Sequence, residues 1–157
     1  MKVAIITSAY NEEEGIEEFI KQINFNFETL KNDFSDINYE LVIANNKSFD
    51  NTLFKLIELK KKFNFLRVFD NQINLGYDIS VLNTLRKVKA DYYIVMCSDL
   101  EDPPELAYLM VKDLINGKEN YESSLGVKKD NKKNLLNLFR YLYYVLTSFS
   151  TRTNFLS

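Results

Sequence analysis

Short apolar runs alternate with segments of helical period along the whole chain, and that alternation predicts the fold. Val3-Ala4-Ile5-Ile6 is continuous and apolar, as a strand buried on both faces requires. From Glu13 to about Leu30, Ile16, Phe19, Ile20, Ile23 and Phe27 recur three and four residues apart, with acids in the first turn, which predicts an amphipathic helix. The same unit repeats. Tyr39–Ala44 reads as a strand, Thr52–Phe63 as a helix and Leu66–Phe69 as a third strand. Asp78–Val88 then reads as a helix, Tyr92–Cys97 as a fourth, buried strand, and Pro104–Asn116 as a helix entered through Pro103-Pro104. Leu125–Val127 is a short fifth strand, and residues 132–149 close the chain as an aromatic-rich amphipathic helix.

Strands and helices joined by short connections imply an α/β fold, an open and mostly parallel sheet with helices on both faces. In such sheets ligands bind beyond the carboxyl ends of the strands. The residues expected to converge are therefore Thr7 to Glu12, Asn45 to Ser48, Asn71 to Tyr77 and Ser98 to Asp102. Most of the unusual polar chemistry in the sequence lies in those four stretches. No linker or composition shift marks a boundary, so residues 1–157 are expected to form a single domain.

Composition narrows the chemistry. At 157 residues the chain can bury roughly two-thirds of its unfolded surface without staples. A formal charge of −2 provides no field for gathering nucleic acid. The absence of His leaves acid–base work to carboxylates, Lys or Tyr, and the single cysteine excludes an internal disulfide and any multi-cysteine zinc site. Met1-Lys2 leads straight into a strand, so no signal peptide is expected, and no segment reaches the ~18 apolar residues that span a bilayer. The expectation is a cytoplasmic chain, peripheral on the inner face of the plasma membrane if it meets a membrane at all.

Each polar constellation has a plain reading beside a functional one. Asp99 and Glu101 stand two apart just past a strand end, where two carboxylates can share a hard cation such as Mg²⁺ or Mn²⁺. The plain reading makes them solvated loop residues and has Asp102 cap the following helix. Ser48, Asp50 and Thr52 suit a helix start, whereas Asn45 and Asn46 at a strand tip can hydrogen-bond a base or ribose edge. Gly76 precedes a helix, either as a left-handed turn or to let a phosphate approach the backbone. Neither Gly-x-Gly-x-x-Gly nor Gly-Lys-Ser occurs, which removes dinucleotide and P-loop readings. Cys97 has no His to activate it and reads as packed rather than nucleophilic. The 132–149 helix reads equally as core or as an interfacial helix, with Lys128, Lys129, Lys132 and Lys133 upstream to meet anionic groups.

Four phrases in order, "TSAYNEEEGI", "ELVIANNKSFDNT", "NLGYDISVLNTL" and "CSDLEDPPEL", resemble the inverting family 2 glycosyltransferases of GT-A fold, closest to the polyprenyl-phosphate, dolichyl-phosphate mannose synthase-like branch. The resemblance covers about residues 1–147 and corresponds to the donor half of such enzymes, without the C-terminal acceptor segment. It implies a nucleotide-sugar donor bordered by Thr7, Ala9, Tyr10, Asn11, Glu12, Asn45, Asn46, Ser48, Gly76, Tyr77, Ser98 and Asp99. It further implies Mg²⁺ or Mn²⁺ on Asp99 and Glu101, which are also the catalytic pair, and phosphate contacts from Lys128 and Lys129. The implied acceptor is a lipid phosphate or a glycan, and the exposed terminal helix implies a membrane surface or a second copy as its partner. Three positions depart from the family pattern: Asn45 replaces a common Asp, Cys97 replaces the first Asp of an Asp-x-Asp pair, and lysines replace arginines after strand five. A catalytically silent nucleotide-binding module is the alternative these departures raise. A phospho-accepting signalling domain shares the architecture but wants clustered acids after the first strand, a phosphorylatable Asp after a middle strand and a Lys near the last, and the second and third strands read as lacking a suitable terminal Asp.

Overall fold

The computed structural model describes residues 1–116, which form one compact unit. Its elements are β1 (Lys2–Ala9), α1 (Ile16–Asp33), β2 (Asn38–Asn45), α2 (Thr52–Lys62), β3 (Leu66–Asp70), α3 (Tyr77–Leu85), β4 (Tyr92–Val95) and α4 (Glu105–Ile115). The expected fifth strand, the 132–149 helix and Lys128 and Lys129 lie outside the described residues. The four strands are all parallel, in the order β3-β2-β1-β4.

Strand parity sorts the core into two layers. Val3, Ile5 and Ala9 of β1, with Leu41 and Ile43 of β2, face Phe19, Ile23 and Phe27 of α1, Leu56 and Leu59 of α2, and Ala107 and Val111 of α4. Ala4, Ile6 and Val42 face the opposite way, onto Val81 of α3 and Val88. Continuous apolar strands are what a sheet covered on both faces demands, and β1 and β2 satisfy it. Among the described residues the cover is uneven, with three helices on one face and α3 on the other. Each fully buried Phe or Ile contributes about 1.5–3 kcal/mol, so the α1 layer supplies most of the stabilising burial.

The chain runs β1 to β2 to β3 on one side and then crosses to the other side of β1 for β4. That reversal opens a crevice between β1 and β4 at their carboxyl ends, the place where an open α/β sheet receives its ligand.

Boundaries differ from the sequence expectation in instructive ways. β1 continues through Thr7, Ser8 and Ala9, so these residues belong to the sheet and not to the loop beyond it. β4 stops at Val95, and only Ile94 on it is buried, while Tyr92, Tyr93 and Val95 are 37–44% exposed. The apolar run predicted burial on both faces, but β4 takes the outer position among the described strands. Tyr93 uses its hydroxyl to accept from the Ala90 amide (3.0 Å) and donate to the Val88 carbonyl (3.1 Å), which binds the turn before its own strand. No helix among the described residues is long and apolar enough to cross a membrane.

Candidate functional site

Backbone strain is concentrated at one end of the sheet. Asn11, Lys47 and Leu100 are the non-glycine residues with positive φ among the described residues (57°, 62° and 63°), and Gly76 has φ 75°. They sit on the four loops that follow β1, β2, β4 and β3 respectively. A left-handed non-glycine residue costs of order 1–3 kcal/mol and persists only where its surroundings enforce it.

The enforcement comes from a clasp between the loops after β1 and β2. The Asn11 amide donates to Ser48 Oγ (3.0 Å), and the Phe49 amide donates back to Asn11 Oδ1 (2.9 Å). The Glu12 amide donates to Thr52 Oγ1 (2.8 Å), the Glu13 amide to Asp50 Oδ2 (3.1 Å), and the Asn51 amide to Glu13 Oε2 (2.8 Å). Lys55 Nζ reaches the Glu13 carbonyl at 2.6 Å. Asp50 Oδ1 also accepts from the Thr52 amide and hydroxyl, at 2.9 and 2.6 Å. Ser48, Asp50 and Thr52 thus do more than open α2: they hold the β1 loop in place. The clasp presents Tyr10 (40% exposed) and Phe49 (81% exposed) edge to face, with ring centroids 6.3 Å apart, at the rim of the crevice.

Burial pushes the Asp50 carboxyl up, but the hydroxyl and amide of Thr52 and the amide of Glu13 outweigh it and leave it below the usual carboxylate value. A lowered carboxylate contributes stability above its unfolded pKa and loses it as pH falls through its folded value. Asp50→Asn is therefore expected to cost about 1–2 kcal/mol near pH 7 and less at a pH below the folded pKa of Asp50. Urea unfolding midpoints of both proteins at the two pH values measure the difference.

Asparagines build the floor. Asn46, 2% exposed, donates from Nδ2 to Asn74 Oδ1 (2.9 Å) and accepts at Oδ1 from Asn71 Nδ2 (3.2 Å) and the Leu75 amide (2.9 Å). Asn71 Nδ2 also donates to Ser80 Oγ (2.9 Å), which accepts from Ser8 Oγ (2.9 Å). The Gly76 amide donates to Asn74 Oδ1 (2.9 Å). This network fixes the entry to α3, and Tyr77 Oη donates to the Met96 carbonyl (3.0 Å) to join α3 to the end of β4. A cavity of about 250 Å³ opens over it, lined by Ser8, Tyr10, Asn46, Asn74, Gly76 and Tyr77. A larger open depression of about 480 Å³ lies between α1 and the entry to α4 and holds none of these residues.

Gly76 combines its positive φ with ψ 164°, a region open essentially to glycine alone, although a Cβ there would meet no atom within 4 Å. Gly76→Ala is expected to lose about 1–3 kcal/mol through the backbone and not through a clash, as read from urea denaturation.

The acidic turn after β4 is tied to β1 beside this cavity but is not part of its lining. Ser98 is buried, with Oγ donating to the Ser8 carbonyl at 3.4 Å. Asp99 and Glu101 are exposed on either side of Leu100, and Asp99 Oδ1 accepts from the Glu101 amide (3.0 Å). α4 begins after Pro104 without a side-chain cap, so Asp102 does not take the capping role of the plain reading. Burial raises the Glu12 carboxyl above its ordinary value, and the charges of Asp99 and Asp50 raise it further. The crevice is thus a place of negative potential. No group of three or more His, Cys, Asp or Glu assembles a metal centre among the described residues. Two carboxylates, completed by phosphate oxygens and water, are nevertheless the usual protein share of a Mg²⁺ site, so Asp99 and Glu101 fit a hard cation.

The structure therefore brings Tyr10, Asn46, Gly76 and Tyr77 to one cavity and sets Asn11, Glu12, Ser48, Ser98 and Asp99 on the loops around it. Thr7 shares the parity of Val3 and Ile5, and its fully buried hydroxyl has no hydrogen-bond partner among the described residues. Ala9 is buried in the α1 layer. Asn45, 1% exposed, donates to Asp70 and accepts from the Ser48 amide. Ser8, Asn71 and Asn74 lie in the stretches the sequence expects to converge without being singled out there, and Phe49 and Ser80 lie outside those stretches.

The model of glycosyl transferase family 2 matches residues 4–154, nearly the whole chain. The chain belongs to this family. A dolichol-phosphate mannosyltransferase of Pyrococcus furiosus is 30% identical over 128 residues, which are 82% of this chain and 34% of that protein. The family 2 chain spans about a third of the length of the curated relatives it matches. Among solved structures, S. aureus TarS 1-349 in complex with UDP is similar with TM-score 0.56 and 20% identity, covering 85% of this chain and 40% of TarS. The mannosyltransferase PcManGT from Pyrobaculum calidifontis, in complex with GDP-Man and Mn²⁺, is similar with TM-score 0.52 and 18% identity, covering 65% and 32%. The family 2 chain has the GT-A architecture that its motifs implied.

Proposed function

We propose that the crevice binds a nucleotide-sugar donor and that the chain takes part in inverting transfer of the sugar to a polyprenyl phosphate or glycan. The observation that carries this reading is the gathering of Tyr10, Asn46 and Gly76 at one cavity beside the switch point between β1 and β4, with the Asp99 turn tied to β1 through Ser98. Relatives that bind UDP, GDP-Man and Mn²⁺ support it. Tyr10 and the clasped loop bearing Asn11, Glu12 and Ser48 would border the nucleoside. Asp99 and Glu101 would hold Mg²⁺ or Mn²⁺, and Lys128 and Lys129 would meet phosphate. The chemistry that such a cation supplies when bound is neutralisation of charge on the departing diphosphate.

In the reaction, an acceptor phosphate oxygen forms its bond to the anomeric carbon as the bond to the nucleoside diphosphate breaks on the opposite face. The acceptor phosphate is already ionised at neutral pH, so no strong general base is needed, which suits a chain without histidine. The similarity to a dolichol-phosphate mannosyltransferase favours the lipid-phosphate acceptor. Residues 132–149, read from the sequence as an amphipathic helix, would then bring the chain to the inner face of the plasma membrane or to a second copy. The test is sugar transfer from a panel of labelled UDP- and GDP-sugars to polyprenyl phosphate in vesicles, with Mn²⁺, Mg²⁺ or chelator. Metal-dependent formation of a lipid-linked sugar of inverted configuration is expected, and a product of retained configuration would refute the mechanism.

A further inference from the structure

The tip of β2 carries an arrangement that the donor-site reading does not use. Asn45 and Asp70 are register partners at the ends of β2 and β3, and Asn45 Nδ2 donates to Asp70 Oδ1 at 2.7 Å. Asn45 is buried and its carbonyl accepts from the Ser48 amide (3.3 Å), whereas Asp70 is exposed. Those two bonds leave the Asn45 amide one orientation. The backbone N–H of Ser48 can only donate, so the Asn45 oxygen must face it, and the NH₂ must then face Asp70. Asn45 is therefore committed inward as a holder, and what it holds outward is a carboxylate.

No Lys or Arg forms an ion pair with Asp70 among the described residues. With Oδ1 engaged by Asn45, the exposed Asp70 carboxylate stands at the carboxyl end of β3, the same sheet end as the cavity though not in its lining. The next residue, Asn71, donates its amide to the Asn45 carbonyl (2.9 Å) and its side chain to Asn46, which lines that cavity. A fixed carboxylate oxygen recognises an N–H donor through a charge-assisted bond and rejects a lone pair.

Resting on the donor-site reading, we infer that Asp70, positioned by Asn45, accepts the ring N–H of the donor's nucleobase. The site then selects uracil, thymine or guanine, which carry a ring N–H, over cytosine, which presents an unprotonated ring nitrogen there. Asp70 is thus a specificity-determining residue on β3, one strand outward from Asn45.

The test is calorimetric titration of the full chain and of Asp70→Asn with UDP, GDP, dTDP and CDP in Mn²⁺. In the variant, Asn45 still donates to the oxygen at position 70, so an NH₂ now faces the base. The expected result is at least a roughly tenfold loss for the preferred N–H-bearing nucleotide with CDP unchanged or tighter, since a hydrogen bond to a charged group is worth that much or more. Asp70→Ala should erase the preference without the gain for CDP, and thermal melts of both variants check the fold. An equal weakening of all four nucleotides, or an unaltered preference, would overturn the inference while leaving the donor site standing. Failure of the unmodified chain to bind any nucleotide at millimolar concentration would bring down both.

Discussion

Asp99→Asn is expected to lower metal-dependent sugar transfer at least a hundredfold, about 3 kcal/mol of transition-state stabilisation, while leaving the fold within about 0.5 kcal/mol of the original. The substitution is selective for a structural reason. Asp99 is exposed, and its one hydrogen bond described above, from the Glu101 amide to Oδ1, can be kept by the Asn carbonyl. The left-handed Leu100 and the Ser98 contact to the Ser8 carbonyl are then undisturbed. What disappears is a negative charge beside Glu12 and half of the carboxylate pair. A second readout follows from the same charge. With Asp99 neutral, one of the three causes that raise the Glu12 carboxyl is gone, so its titration should move down toward the ordinary carboxylate range. Transfer assays and NMR titration of Glu12 measure the two effects. Undiminished metal-dependent transfer by the variant would show that Asp99 does not hold the cation.

The largest stability effect is expected from Phe27→Ala, at about 3–5 kcal/mol against a total of about 5–15 for a domain of this kind. Phe27 is fully buried where α1 meets the sheet, and its ring centroid lies 4.9 Å from that of Tyr39, whose ring packs in turn against Phe65 at 5.0 Å in a tilted pair. Removing it opens a cavity that β2 cannot close, because the parallel register fixes Tyr39 opposite Val3. Phe25 stands two residues away on the same helix and is 72% exposed. Phe25→Ala is therefore expected to change stability by less than about 0.5 kcal/mol. Equilibrium urea unfolding of the two variants tests whether α1 is oriented as described; equal losses would contradict it.

Much of the fold was legible because burial on both faces leaves a strong trace. Val3 to Ile6 and the Ile16-Phe19-Ile20-Ile23-Phe27 stripe each admit one element, and both lie where the periodicity put them. β4 is exposed where its apolar run predicts burial because it takes the outer position among the described strands, and Tyr93 there uses its hydroxyl to hold a turn. The rule that ligands bind beyond parallel strand ends was enough to gather the candidate loops. It could not say which of their side chains face a ligand and which face each other. Asn45, Asn46, Asn71 and Asn74 look alike in sequence, yet Asn46 knits the loops together and Asn45 serves Asp70. Asp70 is passed over because the third strand is expected to stop at Phe69 and to lack a terminal Asp, whereas β3 runs on to Asp70 and pairs it with Asn45. Ser48, Asp50 and Thr52 read as helix-start residues and turned out to clamp the loop carrying Tyr10, a contact between distant segments that capping rules do not contain.

The most direct test of a donor-binding crevice at the β1–β4 switch point is calorimetric titration of the chain with UDP, GDP, CDP and dTDP, each with Mn²⁺, Mg²⁺ or chelator. Saturable binding of a uracil, thymine or guanine nucleotide that is lost in chelator is the predicted result. Absence of binding by every nucleotide at millimolar concentration in the presence of Mn²⁺ would contradict the account.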